Sequence, residues 1–469
     1  KAGNYKTKYI VTVTVPAGTG AGTITVTYLT MDASNAANAA DIQTNHIAAA
    51  LHNGLTATSL DTVTYPGLSR TGSARINDAQ GWRVALEGSS VWIQRKDTQD
   101  FTTKTKDSVA STNLSVLKDE VQSFVDLPTV APNAFVMKIQ GLPEEGASGT
   151  AAYYVAFRTT SDTTTGVPGT AAFEEGVWEE SVAPGITYKV DSSTMPHVLI
   201  RLANGKFLWN PIDGQVTSNL GDPYTVPKWG ERVAGDATTN AQVPWLADSS
   251  GDNGEKIRGM AFFADRLVFL SGTDISLSES GHYFNWFRTT VTSLVDAARI
   301  SVTAAHTKVN LLNYAIPMRE QLVVFSEFTQ YALRGSSDGT LTPSNVWVTA
   351  ATDYETSATA DPVAAKRSIF AAAPRGTATL VRELFDSGSG ARPQFEAVEV
   401  TAQIPTYIQG TAKKMAVSTI EDTLVVLADT GAVKNTLYIF KYMINGDERI
   451  QSAWSKFTFG GTACDIQSM

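Results

Sequence analysis

Short apolar runs bounded by turns recur in the second half of the chain. The run Arg266–Ser271 reads RLVFLS, and it returns as QLVVFS at Gln321–Ser326, as TLVVLA at Thr423–Ala428 and, more weakly, as RSIFAA at Arg367–Ala372. The starts lie roughly 50 residues apart, an interval typical of β-propeller blades. The pattern therefore predicts a mainly β fold with a β-propeller-like body. A β-sandwich with repeated hairpins has similar strand spacing and is the alternative.

The beginning of the chain has a different pattern, in which apolar residues alternate with threonine. Tyr9–Val15 and Ile24–Tyr28 both follow the two-residue period of a strand. Between them lies a Gly-rich stretch, residues 16–22. It predicts a hairpin turn rather than a phosphate-binding loop, because a strand follows it and no Lys-Ser/Thr pair closes the motif.

A helix and a second hairpin are predicted next. The alanine-rich segment Asn38–Leu51 favours a helix, and Asn53-Gly54 is a natural signal for its end. Trp82–Leu86 is expected to pair with Val91–Ile93. Residues 1–117 are therefore predicted to form a small α+β domain, either N-terminal to the β body or inserted into it.

The remainder, residues 118–469, is predicted to be the β-propeller-like body. A linker at Thr112–Pro132 ends in a stretch with two prolines, which supports a boundary. Strands are then predicted at Phe135–Ile139, Tyr153–Phe157, Ile186–Val190 and Val198–Leu202. Residues 210–256 form a long loop rich in Pro, Gly, Asp and Asn, and a loop of this length is usually functional or packed on a neighbour.

Composition excludes several classes of protein. The chain has 469 residues, 43% of them hydrophobic, and no apolar run approaches the roughly 18 residues that a membrane helix needs. The single cysteine, Cys464, excludes an intrachain disulfide and a cysteine-based zinc cluster. The formal net charge of −9 argues against a protein that grips nucleic acid through a basic face.

Paired carboxylates are the strongest hint of catalysis. Glu174-Glu175 and Glu179-Glu180 flank Trp178, an arrangement that a glycosidase site could use. Adjacent acids on a strand point to opposite faces, however, so a solvated surface is the better interpretation. No Gly-x-Ser-x-Gly elbow and no P-loop is present. We therefore predict no catalytic and no cofactor-binding residues.

Metal binding is not predicted either. Ser250–Gly254 resembles part of an Asp-box turn, which is itself structural, and the spacing of Asp248, Asp252 and Glu255 fits no calcium-loop rule. The histidines are scattered along the sequence, at His46, His52, His197, His282 and His306. The aromatic cluster Tyr283–Phe287 lacks interleaved basic residues, so core or subunit packing is favoured over stacking on bases or sugars.

The segment FFADRLVFLSGTDISLSESGHYFNWFRTT, which begins at Phe262, resembles the signature of tail nozzle proteins of short-tailed bacteriophages, also called tail tubular protein B. Further motifs follow that family in the same order. They are Thr194–His197, Trp229–Arg232, Gly235-Asp236, Thr239-Asn240, Phe325–Gln330, Leu341–Pro343, Ile404–Gly410 and Gln451–Trp454. The resemblance runs from about Tyr9 to Phe459, and family members are longer at both ends, so we expect further sequence on both sides.

The resemblance implies a structural, non-enzymatic virion protein located in the phage tail. It implies a homohexamer around the channel for DNA ejection, with contacts to the tail adaptor and tail fibre proteins. Genomic DNA would pass through without specific binding, and no cofactor is implied. The alternatives are a propeller-type glycosidase and a carbohydrate-binding protein, each acting on host surface polysaccharide.

Overall fold

A computed structural model provides the structure of the chain. It describes residues 3–16, 18, 21–72, 74–97, 99–109, 113–141, 152–159, 174–217, 223–246, 256–307, 311–336, 339–386, 395–429, 436–445, 448–461 and 465–466. These residues fall into two compact units, Lys1–Pro184 and Gly185–Met469. The fold is mainly β, as the sequence predicts.

The first unit begins with an antiparallel sheet that has one buried face. Its four strands lie in the order Leu68–Thr71, Gly22–Leu29, Lys8–Val15 and Thr102–Asp107. Tyr9, Val11 and Val13 are buried, whereas the intervening Thr12 and Thr14 are half-exposed. On that open face the Thr12 and Thr25 hydroxyls hydrogen-bond at 3.1 Å. The predicted hairpin across the Gly-rich stretch is confirmed, because Val15 pairs with Gly22.

One α-helix, Thr44–Thr56, covers the buried face, and 3₁₀ turns lie at Ala36–Ala39, Asp78–Gln80 and Phe124–Asp126. The predicted helix exists, but its predicted bounds are wrong, because it starts later and continues through Gly54. The continuation buries Leu55. A Cβ at Gly54 would overlap the Val26 side chain, so this glycine permits close contact between helix and sheet instead of ending the helix.

The first unit also contains the predicted hairpin, formed by Trp82–Glu87 and Ser90–Arg95. A five-stranded sheet follows, in the order Glu120–Val121, Val136–Ile139, Tyr153–Thr159, Glu174–Ser181 and Val130–Ala131. Two of these short strands come from the segment predicted to be a linker. The prolines there do not prevent pairing, because each strand contributes only two residues at a sheet edge.

The second unit contains four consecutive four-stranded antiparallel sheets, each with its strands in sequence order. We call them repeat sheets 1 to 4. Repeat sheet 1 comprises Ile257–Phe263, Arg266–Ser271, Asp274–Leu277 and Ile300–Thr303. Repeat sheet 2 comprises Leu312–Met318, Gln321–Ser326, Gln330–Arg334 and Trp347–Thr352. Repeat sheet 3 comprises Val363–Ala365, Ser368–Arg375, Ala378–Asp386 and Phe395–Glu399, and repeat sheet 4 comprises Thr411–Ser418, Thr423–Asp429, Thr436–Asn445 and Glu448–Thr458.

All four echoing runs occupy the second strand of a repeat sheet, as the repeat pattern requires. A residue with positive φ lies in the preceding turn each time: Asp265, Arg319, Lys366 and Asp422. Left-handed residues of this kind match a tight hairpin turn to the twist of its strands. The recurrence therefore extends from sequence to strand position and to turn geometry.

The second strands of repeat sheets 1 to 3 are buried because each lies between two apolar clusters, whereas the second strand of repeat sheet 4 packs into one cluster of the described residues. In repeat sheet 2, Leu322 and Val324 pack into a cluster shared with repeat sheet 1, while Val323 and Phe325 pack into a cluster shared with repeat sheet 3. Phe370 and Val426 likewise belong to a cluster shared by repeat sheets 3 and 4. Sheets and clusters thus alternate along the chain, and this arrangement explains runs of apolar residues without alternation.

The beginning of the second unit is a cap on repeat sheet 1. A hairpin of His197–Arg201 and Phe207–Pro211 and a shorter one of Val216–Thr217 and Tyr224–Thr225 precede a 3₁₀ turn at Pro244–Leu246. Trp229 and Trp245 from the predicted long loop pack with Phe269 in one buried cluster. The strand predicted at Ile186–Val190 is wrong, because this segment has no strand partner among the described residues.

Candidate assembly surfaces

The hairpin His197–Pro211 presents an apolar face to solvent. Leu199 pairs with Trp209, so the two side chains lie on the same face, and Phe207 follows on that face opposite Arg201. The exposed fractions are 58% for Leu199, 61% for Phe207 and 65% for Trp209. The His197 ring stacks on the indole of Trp209, with centroids 5.6 Å apart and an interplanar angle of 16°. We call this surface the hairpin face.

A second apolar surface lies on the side of repeat sheet 4 that faces away from repeat sheet 3. Val425 pairs with Ile439, and Leu437 pairs with Phe457. Val425, Ile439 and Leu437 are half-buried, and Phe457 is 56% exposed. None of them belongs to the apolar clusters of the described residues. We call this surface the outer face of repeat sheet 4.

The aromatic cluster of the signature segment divides between core and surface. Trp286 and Phe287 are buried, and Trp286 stacks on Phe269 at a centroid distance of 4.9 Å. Tyr283 remains on the surface, where its hydroxyl donates to Asp265 at 2.8 Å and its ring meets Phe262 edge-on. Core packing, which the sequence analysis favoured, therefore describes part of the cluster.

Arg266 holds the signature segment together. The side chain is 1% exposed, and its guanidinium donates to the carbonyl oxygens of Ser278, Asp296, Ala297 and Ala298 at 2.7–3.1 Å. Burial is the main cause that lowers the pKa of Arg266. The arginine at the start of this strand thus has a structural role: it fixes the loop that carries the aromatic cluster.

The carboxylates proposed for a glycosidase do not form a described site. Glu179 is exposed and lies 3.8 Å from Arg158, and Trp178 donates its indole N–H to the carbonyl oxygen of Pro128. The Glu174 and Glu175 side chains lie outside the described residues, as do Ser250–Gly254 and the carboxylates Asp248, Asp252 and Glu255.

The histidines have separate surroundings. His46 lies 3.5 Å from Asp41, and His306 lies 3.7 Å from Asp353, whereas burial lowers the pKa of His52. Within the described ranges, no three His, Cys, Asp or Glu residues are grouped so that they could hold a metal ion. Nor does that part of the chain contain a helix both long and apolar enough to cross a membrane.

Two places where basic residues adjoin in the sequence, Lys366-Arg367 and Lys413-Lys414, are partly neutralised. Lys366 Nζ lies 2.6 Å from Asp422 Oδ1, and Lys414 Nζ lies 2.8 Å from Asp465 Oδ1. Lys104 and Lys106 are exposed on the edge strand of the first sheet. These ion pairs reduce the local positive charge at two sites of the described residues, and the whole chain has a formal net charge of −9.

Exposed apolar faces of this kind mark surfaces that other protein chains can cover. Comparison with known sequences agrees: residues 1–468 match the family described as bacteriophage nozzle protein. The chain belongs to this family. The family is one of virion tail proteins, and the chain is accordingly a component of the virion tail.

A curated relative supports the same assignment. The chain is 28% identical over 356 residues to tail tubular protein gp12 of Escherichia phage T7. The match covers 76% of this chain but only 39% of that protein's length.

Solved structures give weaker likenesses. A putative 6-phosphogluconolactonase from Bacteroides uniformis has a TM-score of 0.32 at 13% identity, with 69% of this chain and 96% of that chain covered. A second, from Bacteroides fragilis, has a TM-score of 0.31 at 10% identity, with coverages of 67% and 96%. At these TM-scores neither likeness supports a conclusion about fold or activity.

Proposed function

We propose that the chain is one subunit of a homohexameric nozzle ring around the channel through which DNA is ejected, in contact with the tail adaptor and tail fibre proteins. The observation that carries the ring is the presence of two different exposed apolar surfaces, the hairpin face and the outer face of repeat sheet 4. A cyclic ring of more than two subunits needs unlike faces that meet head to tail. Membership of the nozzle family supports the channel and its partners.

We also propose that the repeat sheets are blades of a β-propeller-like body. The support is the placement of their first strands. Ile257–Phe263 lies beside Leu312–Met318, which contacts Val363–Ala365, which in turn contacts Thr411–Ser418. In a propeller the first strands of successive blades lie together around a central channel in this way.

The ring can be tested with one substitution on each face. Trp209→Ser damages the hairpin face and Phe457→Ser damages the outer face of repeat sheet 4. We expect each variant to lose the hexamer in size-exclusion chromatography with light scattering. Mixing the two variants should restore dimers, because an intact hairpin face from one variant can meet an intact outer face from the other. The control Ile420→Ser also replaces an exposed apolar side chain with serine, at a residue that is 87% exposed and lies on neither face, and it should leave the hexamer unchanged.

Three results of this experiment would each contradict one part of the proposal. A hexamer that survives both substitutions would contradict the assignment of these faces. Two variants that stay monomeric on mixing would contradict the head-to-tail arrangement. Wild-type protein that is monomeric at high concentration would contradict the ring itself.

For DNA we propose a channel surface that is neutral to acidic. A basic wall would bind phosphates, and every neutralised phosphate adds a salt-dependent increment of affinity that slows passage. The paired lysines at Lys366 and Lys414 support this view. In fluorescence anisotropy at physiological salt, duplex DNA should bind only weakly and non-specifically. Tight binding that falls steeply with added salt would contradict the proposal.

We further propose that the protein is not an enzyme. The support is the family together with the exposed, arginine-paired position of Glu179. Purified protein should show no turnover of glycans, peptidoglycan or nucleotides. Reproducible glycan cleavage that Glu179→Ala abolishes would contradict this proposal.

Finally, we propose that residues 1–117 form a separable domain. Their sheet and helix share one buried cluster made of their own side chains. A chain that lacks residues 1–117 should keep the hydrogen-exchange protection of repeat sheets 1 to 4. Loss of that protection would show that the two parts fold as one.

A further inference from the structure

Three arginines from separate parts of the sequence converge beside the signature segment. Arg232 donates to the carbonyl oxygen of Thr187 at 2.9 Å, and its guanidinium carbon lies 4.9 Å from the ring centre of Phe287. Arg288 directly follows Phe287 in the sequence. Arg299 donates to the carbonyl oxygen of Ala241 at 2.7 Å.

The side chain of Asn240 forms a clamp, which is a pair of hydrogen bonds to the backbone of Arg288. Its side-chain oxygen accepts from the Arg288 amide at 2.8 Å, and its side-chain nitrogen donates to the Arg288 carbonyl at 2.9 Å. Ala241 follows Asn240 in the sequence, so the hydrogen bond from Arg299 to Ala241 lies next to this clamp. The geometry thus brings the three arginines to one location from positions 232, 288 and 299.

None of the three arginines forms an ion pair with a described residue, whereas the buried Arg95 pairs with Asp97. Asp236 interacts electrostatically with Arg232 and partly offsets the lowering of its pKa by burial, and the Asp236 carboxylate accepts from the amides of Thr238 and Thr239.

The pKa of Arg299 and the buried Nε atoms agree with an excess of positive charge in the cluster. Burial, followed by the nearby Arg288 and Arg232, lowers the pKa of Arg299 to about 10. Arg232 is 4% exposed, and the Nε atoms of Arg232 and Arg299 are buried without a hydrogen-bond partner in the described structure. Buried charges and donors of this kind are normally paired, because an unpaired group keeps its full desolvation cost.

We propose that Arg232, Arg288 and Arg299 form a binding site for one oxyanion, a phosphate or a carboxylate group. A guanidinium fork matches both groups geometrically and binds them through charge-assisted hydrogen bonds. Arg288 and Arg299 are only partly buried, so an anion can reach the cluster from solvent. The anion comes either from solution as free phosphate or from an acidic side chain of a neighbouring protein chain. The site does not depend on the proposed ring.

Isothermal titration at constant ionic strength tests the site with three probes: inorganic phosphate, acetate and chloride. We expect saturable binding of an oxyanion probe and none of chloride. Arg288→Gln should weaken the binding at least tenfold, and Arg288→Lys should weaken it less, because lysine keeps the charge without the fork. The matched control is Arg258→Gln, a change at an exposed arginine of repeat sheet 1, which should bind as the wild type does.

The probes distinguish the two sources. Phosphate binding at least tenfold tighter than acetate binding indicates free phosphate, and comparable affinities indicate a carboxylate. Non-saturable heats with both oxyanions, or unchanged binding by a folded Arg288→Gln variant, would overturn the proposal. Phosphorus NMR line broadening of phosphate by the wild-type protein provides a second measurement that requires no variant, and the absence of broadening would count equally against the site.

Discussion

The first strand of the first unit and the second strand of repeat sheet 2 differ in how many of their faces are buried. In Lys8–Val15 only every second side chain is buried, and the threonines between them form a hydroxyl ladder on the open face. In Gln321–Ser326 every residue is buried, because apolar clusters lie on both sides. In these two strands, the alternation reflects one partner layer and the continuous apolar run reflects two.

The largest effect is expected where a two-sided strand begins. Arg266→Leu should lower the free energy of unfolding of repeat sheet 1 by at least about 3 kcal/mol, because several buried carbonyl oxygens lose their donor. The measurement is urea-dependent hydrogen exchange read by mass spectrometry on peptides of each unit. Arg258→Leu, at an exposed position in the same sheet, should change stability by no more than about 0.5 kcal/mol. Equal effects of the two substitutions would contradict the role of Arg266.

Replacing valine with threonine, which has nearly the same shape, tests whether a strand is buried on one face or on both. Val323→Thr and Val324→Thr should each cost about 2 kcal/mol, since both buried faces would receive an unpaired hydroxyl. In the first unit Val13→Thr should cost a similar amount, whereas Thr12→Val should stay within about 0.5 kcal/mol. The same exchange measurement applies. A tolerated threonine at Val323 or Val324 would show that one side of the strand is solvated.

A smaller effect is expected at the helix of the one-sided sheet. Gly54→Ala normally favours a helix by about 1 kcal/mol. Here the added methyl group meets Val26, and overpacking costs about 1–3 kcal/mol, so a net loss of about 1 kcal/mol is expected. Chemical denaturation measures it. The double variant Gly54→Ala/Val26→Ala should recover the overpacking part, and an additive double variant would exclude direct contact as the cause.

The smallest effect is a pH dependence in repeat sheet 3. The Arg375 guanidinium donates to Glu399 at 2.6 Å and, as the largest cause, lowers the pKa of that carboxyl group. The folded pKa lies below the unfolded value, so the contribution is present above the unfolded pKa and is lost as pH falls through the folded pKa. At this partly exposed pair it is worth at most about 1 kcal/mol. Glu399→Gln should flatten the acid side of the stability profile, and an unchanged profile would contradict the assignment.

The sequence predicted the parts of the fold that depend on local pattern. The apolar runs located all four second strands, and the Thr-rich alternation located the first hairpin. Patterns failed where tertiary contact decides. The helix passes Gly54 because Leu55 is buried beyond it, and Ile186–Val190 has strand-like residues but no described strand partner.

The candidate surfaces and the arginine cluster were beyond the reach of sequence reasoning. Trp229 and Trp245 are buried but Trp209 is exposed, and the difference depends on which segments pack against each of them. Arg232, Arg288 and Arg299 carry no shared motif, and their meeting depends on the clamp at Asn240. The resemblance of the signature segment to nozzle proteins was informative about the family, which residues 1–468 confirm.

The alternation of sheets and clusters also has a consequence for synthesis on the ribosome. Each repeat sheet can cover only the side that faces the sheet made before it, so a growing chain carries a bare apolar side until the next sheet emerges. At a typical rate of roughly 5–20 residues per second, a segment of about 50 residues leaves that side open for a few seconds. The nascent protein is therefore most exposed to aggregation between successive sheets, and host chaperones have a recurring surface to protect each time one is completed.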